Sequence, residues 1–141
     1  IKWDVFKQLE IVKKLGFQEE SQITEGTYDS WENLDVKYQG FHDYFKFLKF
    51  GFGRATDHVS MEIRYGRMTR EEGLAIIKKY EGKIPIRHLD EFLRDAEISM
   101  DEFIEICEKF TNKKLFKTDS NGNLIRDNEG NIEKLYYDNS D

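Results

Sequence analysis

The chain has 141 residues, 38% of them hydrophobic and 14% aromatic, which is enough for one domain with a substantial core. Its net charge of −6 argues against a general nucleic-acid binder, and no apolar run approaches the ~20 residues of a membrane span. One cysteine, Cys107, leaves no intrachain disulfide or cysteine-based zinc cluster.

The sequence opens on IKWDVF, without an initiator methionine or a signal-peptide pattern, as expected of a piece cut from a longer, cytoplasmic protein. Residues 4–15, DVFKQLEIVKKL, read as a helix with Val5, Phe6, Leu9 and Val12 on a broad apolar face and Gly16 as its stop. Residues 18–37 are polar and irregular, a long loop pinned by Tyr28 and Trp31. The stretch YQGFHDYFKFLKFGF, residues 38–52, places Phe41, Tyr44, Phe45 and Leu48 at i, i+3, i+4 and i+7. That is a helix with one aromatic face, read as core packing ahead of a ligand-stacking platform.

Thr69 and Glu72 form a capping-box pattern that opens the next helix but one, and Gly82 closes it. Residues 86–95 carry Ile86, Leu89 and Leu93 on one face, after Pro85 has broken the chain. Ser99 and Glu102 repeat the capping pattern before a helix burying Phe103, Ile106, Cys107 and Phe110. Cys107 in that setting is a packing thiol. After Lys114, DSNGNLI and DNEGNIE form an eight-residue near-repeat that reads as β-hairpin material. Asp119, Asn121 and Asn123 imitate the first ligands of a calcium loop, but Leu124 and Gly130 stand where Gly and Glu are required, so calcium is not expected.

The fold class is therefore mainly α, a compact helical module with a β-hairpin-like tail. Three parts are expected: residues 1–37 as a helix and linking loop, 38–112 as the helical module, and 113–141 as the tail.

One stretch carries chemistry. From Tyr44 to Arg70 the chain has six basic residues (Lys46, Lys49, Arg54, Arg64, Arg67, Arg70) against Asp57 and Glu62, a local +4 that leaves −10 for the rest. Such a patch suits a small anionic ligand better than a long polyanion. As a helix, residues 54–65 align Ala55, Val59 and Ile63 in an apolar stripe, and gather Arg54, Asp57, His58, Met61 and Tyr65 on another side with Arg64 at its edge. The preceding GFG, with Gly53 at its end, permits close backbone approach, and a helix N-terminus there offers N–H groups to an anion. Arg54 would add a bidentate contact, Asp57 would orient His58 or hold a hydroxyl, and His58 would donate a proton or anchor a hydrogen bond. The alternative is a surface helix with an Arg54–Asp57 ion pair. His42 and His88 lack partners at metal spacing and read as structural or solvated; no second histidine supports a metal at His58.

Residues 38–82, and above all GFGRATDH followed by IRYGRMTREEG, resemble the C-terminal region of the N-acetyl sugar amidotransferases, PP-loop ATP pyrophosphatases of surface-polysaccharide (O-antigen) and flagellar-glycan biosynthesis. The resemblance implies an acetamido group converted to an acetamidino group on a nucleotide-linked or nonulosonic acid sugar, through adenylation by ATP with Mg and attack by ammonia. It implies a glutaminase subunit as ammonia source and a synthase-like barrel subunit as companion. The SGGxDS-type nucleotide loop and the cysteine-rich N-terminal segment of that family are absent here, so the chain is expected to be a C-terminal fragment of an α/β PP-loop enzyme, inactive alone. Chemistry and motif together put Arg54, with Lys49 behind it, on an anion, and Gly53, Asp57, His58, Arg64 and Arg67 around the same substrate or phosphate site. No catalytic residue is assigned. The competing reading is a non-enzymatic docking module, presenting the 38–52 helix and the 18–37 loop to a partner subunit.

Overall fold

In the computed structural model, residues 4–128 and 130–135 are described. Six helices follow in order: α1 (Val5–Lys14), α2 (Gln39–Phe50), α3 (Arg54–Arg64), α4 (Arg70–Tyr80), α5 (Leu89–Asp95) and α6 (Met100–Phe110), then a short 3-10 turn (Lys113–Leu115). The fold is mainly α, as the sequence implies. Among the described residues, no helix is long and apolar enough to cross a membrane.

Local chemistry sets the helix ends. Asp4 caps α1 by accepting from Phe6 N–H, and both capping boxes form, Thr69 with Glu72 and Ser99 with Glu102. α2 ends on Gly51 at φ +75°, where a side chain would be strained. α5 starts three residues later than the apolar spacing suggests. Pro85 keeps the chain ahead of it extended, and Ile86 lies outside the helix, 76% exposed, instead of on its packed face.

The core is built around α2. Its aromatic face, Phe41, Tyr44, Phe47 and Leu48, is buried against Phe103 and Cys107 of α6, and Phe92 of α5 stacks on Phe41 at 4.1 Å between ring centroids. Those aromatics fill this chain's own interior, whereas Phe50 and Phe52 at the end of the same stretch are exposed. Cys107 packs with them, and burial pushes its thiol up to about 12, which keeps it protonated and unreactive. α3 lies on α4 at a glycine: a Cβ at Gly73 would come within 2.4 Å of Val59 Cγ1. Gly82, at φ +79°, turns the chain against the Phe47 ring.

The C-terminal segment differs from the expected hairpin. Phe116, Leu124 and Ile132, spaced eight residues apart, are all buried in the same core as α2 and α6. Their neighbours close a ring of backbone hydrogen bonds: Ile125 N–H to Lys117 O (3.0 Å), Glu133 N–H to Ile125 O (2.9 Å) and Lys117 N–H to Glu133 O (2.9 Å). Isolated antiparallel bridges join the three arms in pairs, 116 with 134, 118 with 124 and 126 with 132. Two turns link them. In the first, Asp119 Oδ1 accepts from Asn121 and Asn123 N–H; in the second, Asp127 Oδ1 accepts from Asn131 N–H. The near-repeat thus encodes a closed three-arm unit, with one apolar residue per arm, where a hairpin would have had two strands and one turn.

Candidate functional site: a buried charge cluster on α3

α3 brings Arg54 and His58 to residues 24–33, a segment with little apolar content of its own. That segment is nevertheless deeply placed: Thr27 is wholly buried and Asp29 is 1% exposed. What holds it is charge. His58 is buried on α3, and its Nδ1 lies 2.8 Å from Thr27 Oγ1 and 2.8 Å from Asp29 Oδ2. The hydrogen-bond direction at Nδ1 favours Thr27, so the Asp29 contact is one of proximity and charge. On the other edge of the ring, Nε2 is 3.1 Å from Glu32 Oε2. Tyr28 packs its ring edge-on to His58 at 5.9 Å. Trp31 fixes the end of the segment against Phe6 of α1 at 5.7 Å.

Arg54 extends the cluster. Its Nε and Nη2 donate to the two oxygens of Asp43 on α2 at 2.7 and 3.2 Å, the fork geometry that suits a guanidinium, and Nη1 donates to Glu32 at 3.0 Å. Glu32 thereby bridges Arg54 and His58. Asp43 is 4% exposed, and its charge is compensated by Arg54, with Gln39 Nε2 donating to it as well at 3.1 Å.

The protonation states follow. Burial alone pulls the His58 pKa down, but the close carboxylate of Asp29, the hydrogen bond to Glu32 and the charges of both outweigh it and push the value up to about 9. His58 is an imidazolium at neutral pH, with both ring nitrogens donating and no lone pair for a base or a metal. Glu32 is held below the usual carboxylate range, first by its hydrogen bond to His58. For Arg54 burial again works against the charge, and Asp43 and Glu32 more than restore it.

Asp29, Glu32 and His58 each bring a ligand atom within 4.8 Å of the others, the spacing of a metal set. The donor chemistry does not fit one ion, because the two carboxylates address opposite nitrogens of one ring. The imidazolium itself stands where a cation would stand.

Other parts of the sequence-derived site fall elsewhere. Asp57 is exposed and pairs with Lys46 of α2, so it neither orients His58 nor pairs with Arg54. Gly53 caps α3 as expected, but the N–H groups behind it are not open to an external anion. Ala55 N–H donates to Gly26 O (3.2 Å) and Thr56 N–H to Glu81 Oε1 (2.6 Å), so an internal carboxylate already sits at the positive end of the helix. Arg67 makes a fork with Glu62 at 2.6 and 2.8 Å and reaches Asp4 at 3.3 Å. Arg64 is exposed, and exposed Lys49 rests over the Phe50 and Phe110 rings at 5.1 and 5.9 Å. Three acids from outside the segment, Asp4, Glu32 and Asp43, therefore offset most of the local +4 in three dimensions.

Sequence reasoning missed Thr27, Asp29, Glu32, Asp43 and Glu81. Asp43 gave one signal, a carboxylate set inside the most aromatic helix of the chain, where only a paired charge is tolerable. Asp29 and Glu32 flank Tyr28 and Trp31, the aromatics that mark the loop as anchored.

A family model described as "LPS biosynthesis protein WbpG-like, C-terminal domain" matches residues 25–128, well over half of the chain. The match begins at Glu25, just ahead of the buried Thr27 and Asp29, and takes in the whole charge cluster. No curated protein matches the chain.

Proposed function

The chain belongs to the WbpG-like C-terminal domain family of lipopolysaccharide-biosynthesis proteins, and on that premise we propose that it is the substrate-completing domain of an ATP-dependent N-acetyl sugar amidotransferase. The observation that carries the reading is that GFGRATDH builds the buried charge cluster, inside the matched region. In the proposed reaction the acetamido oxygen is adenylated by ATP, pyrophosphate leaves, ammonia adds to the amide carbon, and AMP departs with that oxygen. The product is an acetamidino sugar. ATP with Mg belongs to a PP-loop domain preceding this one, and ammonia to a glutaminase partner, with a synthase-like barrel subunit as companion.

Within this domain Arg54 and His58 act as positioning residues. Their charges are spent on Asp29, Glu32 and Asp43, and they fix the backbone of residues 25–33 against α2 and α3. Exposed Lys49 and Arg64 remain for contact with an anionic sugar.

The test is a reconstituted reaction of the full-length parent with its glutaminase, glutamine, MgATP and a nucleotide-linked N-acetylated sugar acid, read by mass spectrometry. The proposal expects one oxygen replaced by NH in the sugar, with AMP and pyrophosphate formed in equal amounts. Release of ADP and phosphate, or conversion without ATP, overturns it.

A further inference from the structure

We infer that Asn121 is a self-modifying site: its side chain cyclises onto the nitrogen of Gly122, and the isoaspartyl product opens the three-arm C-terminal unit. The Gly122 backbone nitrogen loses its proton to solvent and attacks Cγ of Asn121. The Cγ–Nδ2 bond breaks, ammonia leaves, and a succinimide ring remains. One water then adds to either ring carbonyl. Opening on one side gives aspartate; opening on the other gives isoaspartate, whose main chain runs through Cγ. The step needs no cofactor and does not depend on the amidotransferase reading.

Glycine after asparagine places the least bulk beside the attacking nitrogen. The turn adds to that. Asn121 is exposed, and its carboxamide makes no hydrogen bond among the described residues. Gly122 stands at φ +81°, and a Cβ there would meet nothing within 4 Å, so the backbone has room to swing. Lys113 Nζ donates to Gly122 O at 2.9 Å and offsets the Asp119 carboxylate across the turn. One bond resists: Gly122 N–H donates to Asp119 O at 3.1 Å and must open first. The other asparagines of the near-repeat are held back. Asn123 donates to Asp119 Oδ2 at 3.1 Å and precedes buried Leu124, and Asn131 donates to Asp127 and precedes buried Ile132. Asn128 precedes Glu129 instead of a glycine.

The product acts through the place of this turn. Asp119 N–H to Asn123 O (2.9 Å) closes it, and the next two residues join the second arm to the core, Leu124 by burial and Ile125 by its bond to Lys117 O. Isoaspartate lengthens the main chain there by one carbon, about 1.5 Å. The turn then loses its register, and Leu124 and Ile125 lose their hold.

The whole chain is aged at mildly alkaline pH beside the free peptide TDSNGNLIR, residues 118–126, and both are followed by mass spectrometry. Trypsin cuts after Lys117, Arg126 and Lys134, so the two halves of the near-repeat separate, and fragmentation tells Asn121 from Asn123. The inference expects a gain of about 1 Da at Asn121, faster than at Asn123, Asn128 or Asn131 and slower than in the free peptide. Chromatography against synthetic standards separates isoaspartate from aspartate. Hydrogen exchange at Ile125 should quicken in the aged wild type. It should not quicken in aged Asn121→Gln, nor in fresh Asn121→Asp, which carries the charge without the extra backbone carbon. An intact Asn121 after the free peptide has fully converted overturns the inference. So does equal conversion at all four asparagines, or an unchanged Ile125 amide in the isoaspartyl form.

Discussion

Arg54 shows why a basic residue in a sequence is not a basic residue on a surface. Its guanidinium is forked on Asp43 and bonded to Glu32, and Asp43, 4% exposed, is otherwise held by the neutral amide of Gln39 at 3.1 Å. Replacing Arg54 by Ala is expected to destabilise the chain by about 3 kcal/mol, because a buried carboxylate loses its charged partner. Adding Asp43→Asn should recover part of that loss, and a double-mutant cycle in urea measures the coupling. Strictly additive losses would show that the two do not interact. His58 gives a pH prediction with a definite sign. Its folded pKa, about 9, lies above the ordinary 6.5, so its contribution is complete below about pH 6.5 and is lost as pH rises through 9. The shift corresponds to something on the order of 3 kcal/mol. Urea midpoints should fall between pH 6.5 and 9.5 in the wild type, and fall less in His58→Asn; parallel curves for the two proteins would remove His58 as the cause.

At the scale of elements, the helices were legible because their signals are local. Thr69 with Glu72 and Ser99 with Glu102 declare N-termini by themselves, and the i, i+3, i+4 spacing of Phe41, Tyr44 and Phe45 declares a face. The partners of α3 were not legible, because Asp29, Glu32 and Asp43 lie 11 to 29 residues away from the groups they hold, and nothing local records the meeting. The three-arm unit was half legible. The repeat was visible, but whether two turns close a ring or stagger into a hairpin depends on Phe116, Leu124 and Ile132 meeting a common core. The α3–α4 contact makes its own prediction. Gly73→Ala should cost about 1 to 3 kcal/mol, since the new methyl group meets Val59 in a packed core, and Val59→Ala in the same chain should reduce that cost. Thermal melts of the four proteins test it; a neutral Gly73→Ala would mean the helices separate freely.

For the whole molecule, one core joins α2, α5, α6 and the C-terminal arms, whereas residues 24–33 are tied on by charge. These two kinds of attachment should respond differently to mutation. Phe116→Ala, removing a ring that is 1% exposed, is expected to cost about 3 to 5 kcal/mol and to lower a single unfolding transition. A separate early transition for the C-terminal arms would show that they do not share the core. Loss of Arg54 or His58 should instead raise hydrogen exchange first in residues 24–33, where few apolar contacts resist opening. The domain of a lipopolysaccharide-biosynthesis protein would then present a surface whose shape is set by internal ion pairs.

The most direct test of that claim is the ionisation of His58, read from its ring nitrogen shifts by NMR between pH 6 and 10. The account predicts an imidazolium with both nitrogens protonated at pH 7.5, titrating near 9. A neutral ring at pH 7.5, with one nitrogen bare and free to serve as a base or a ligand, would contradict it.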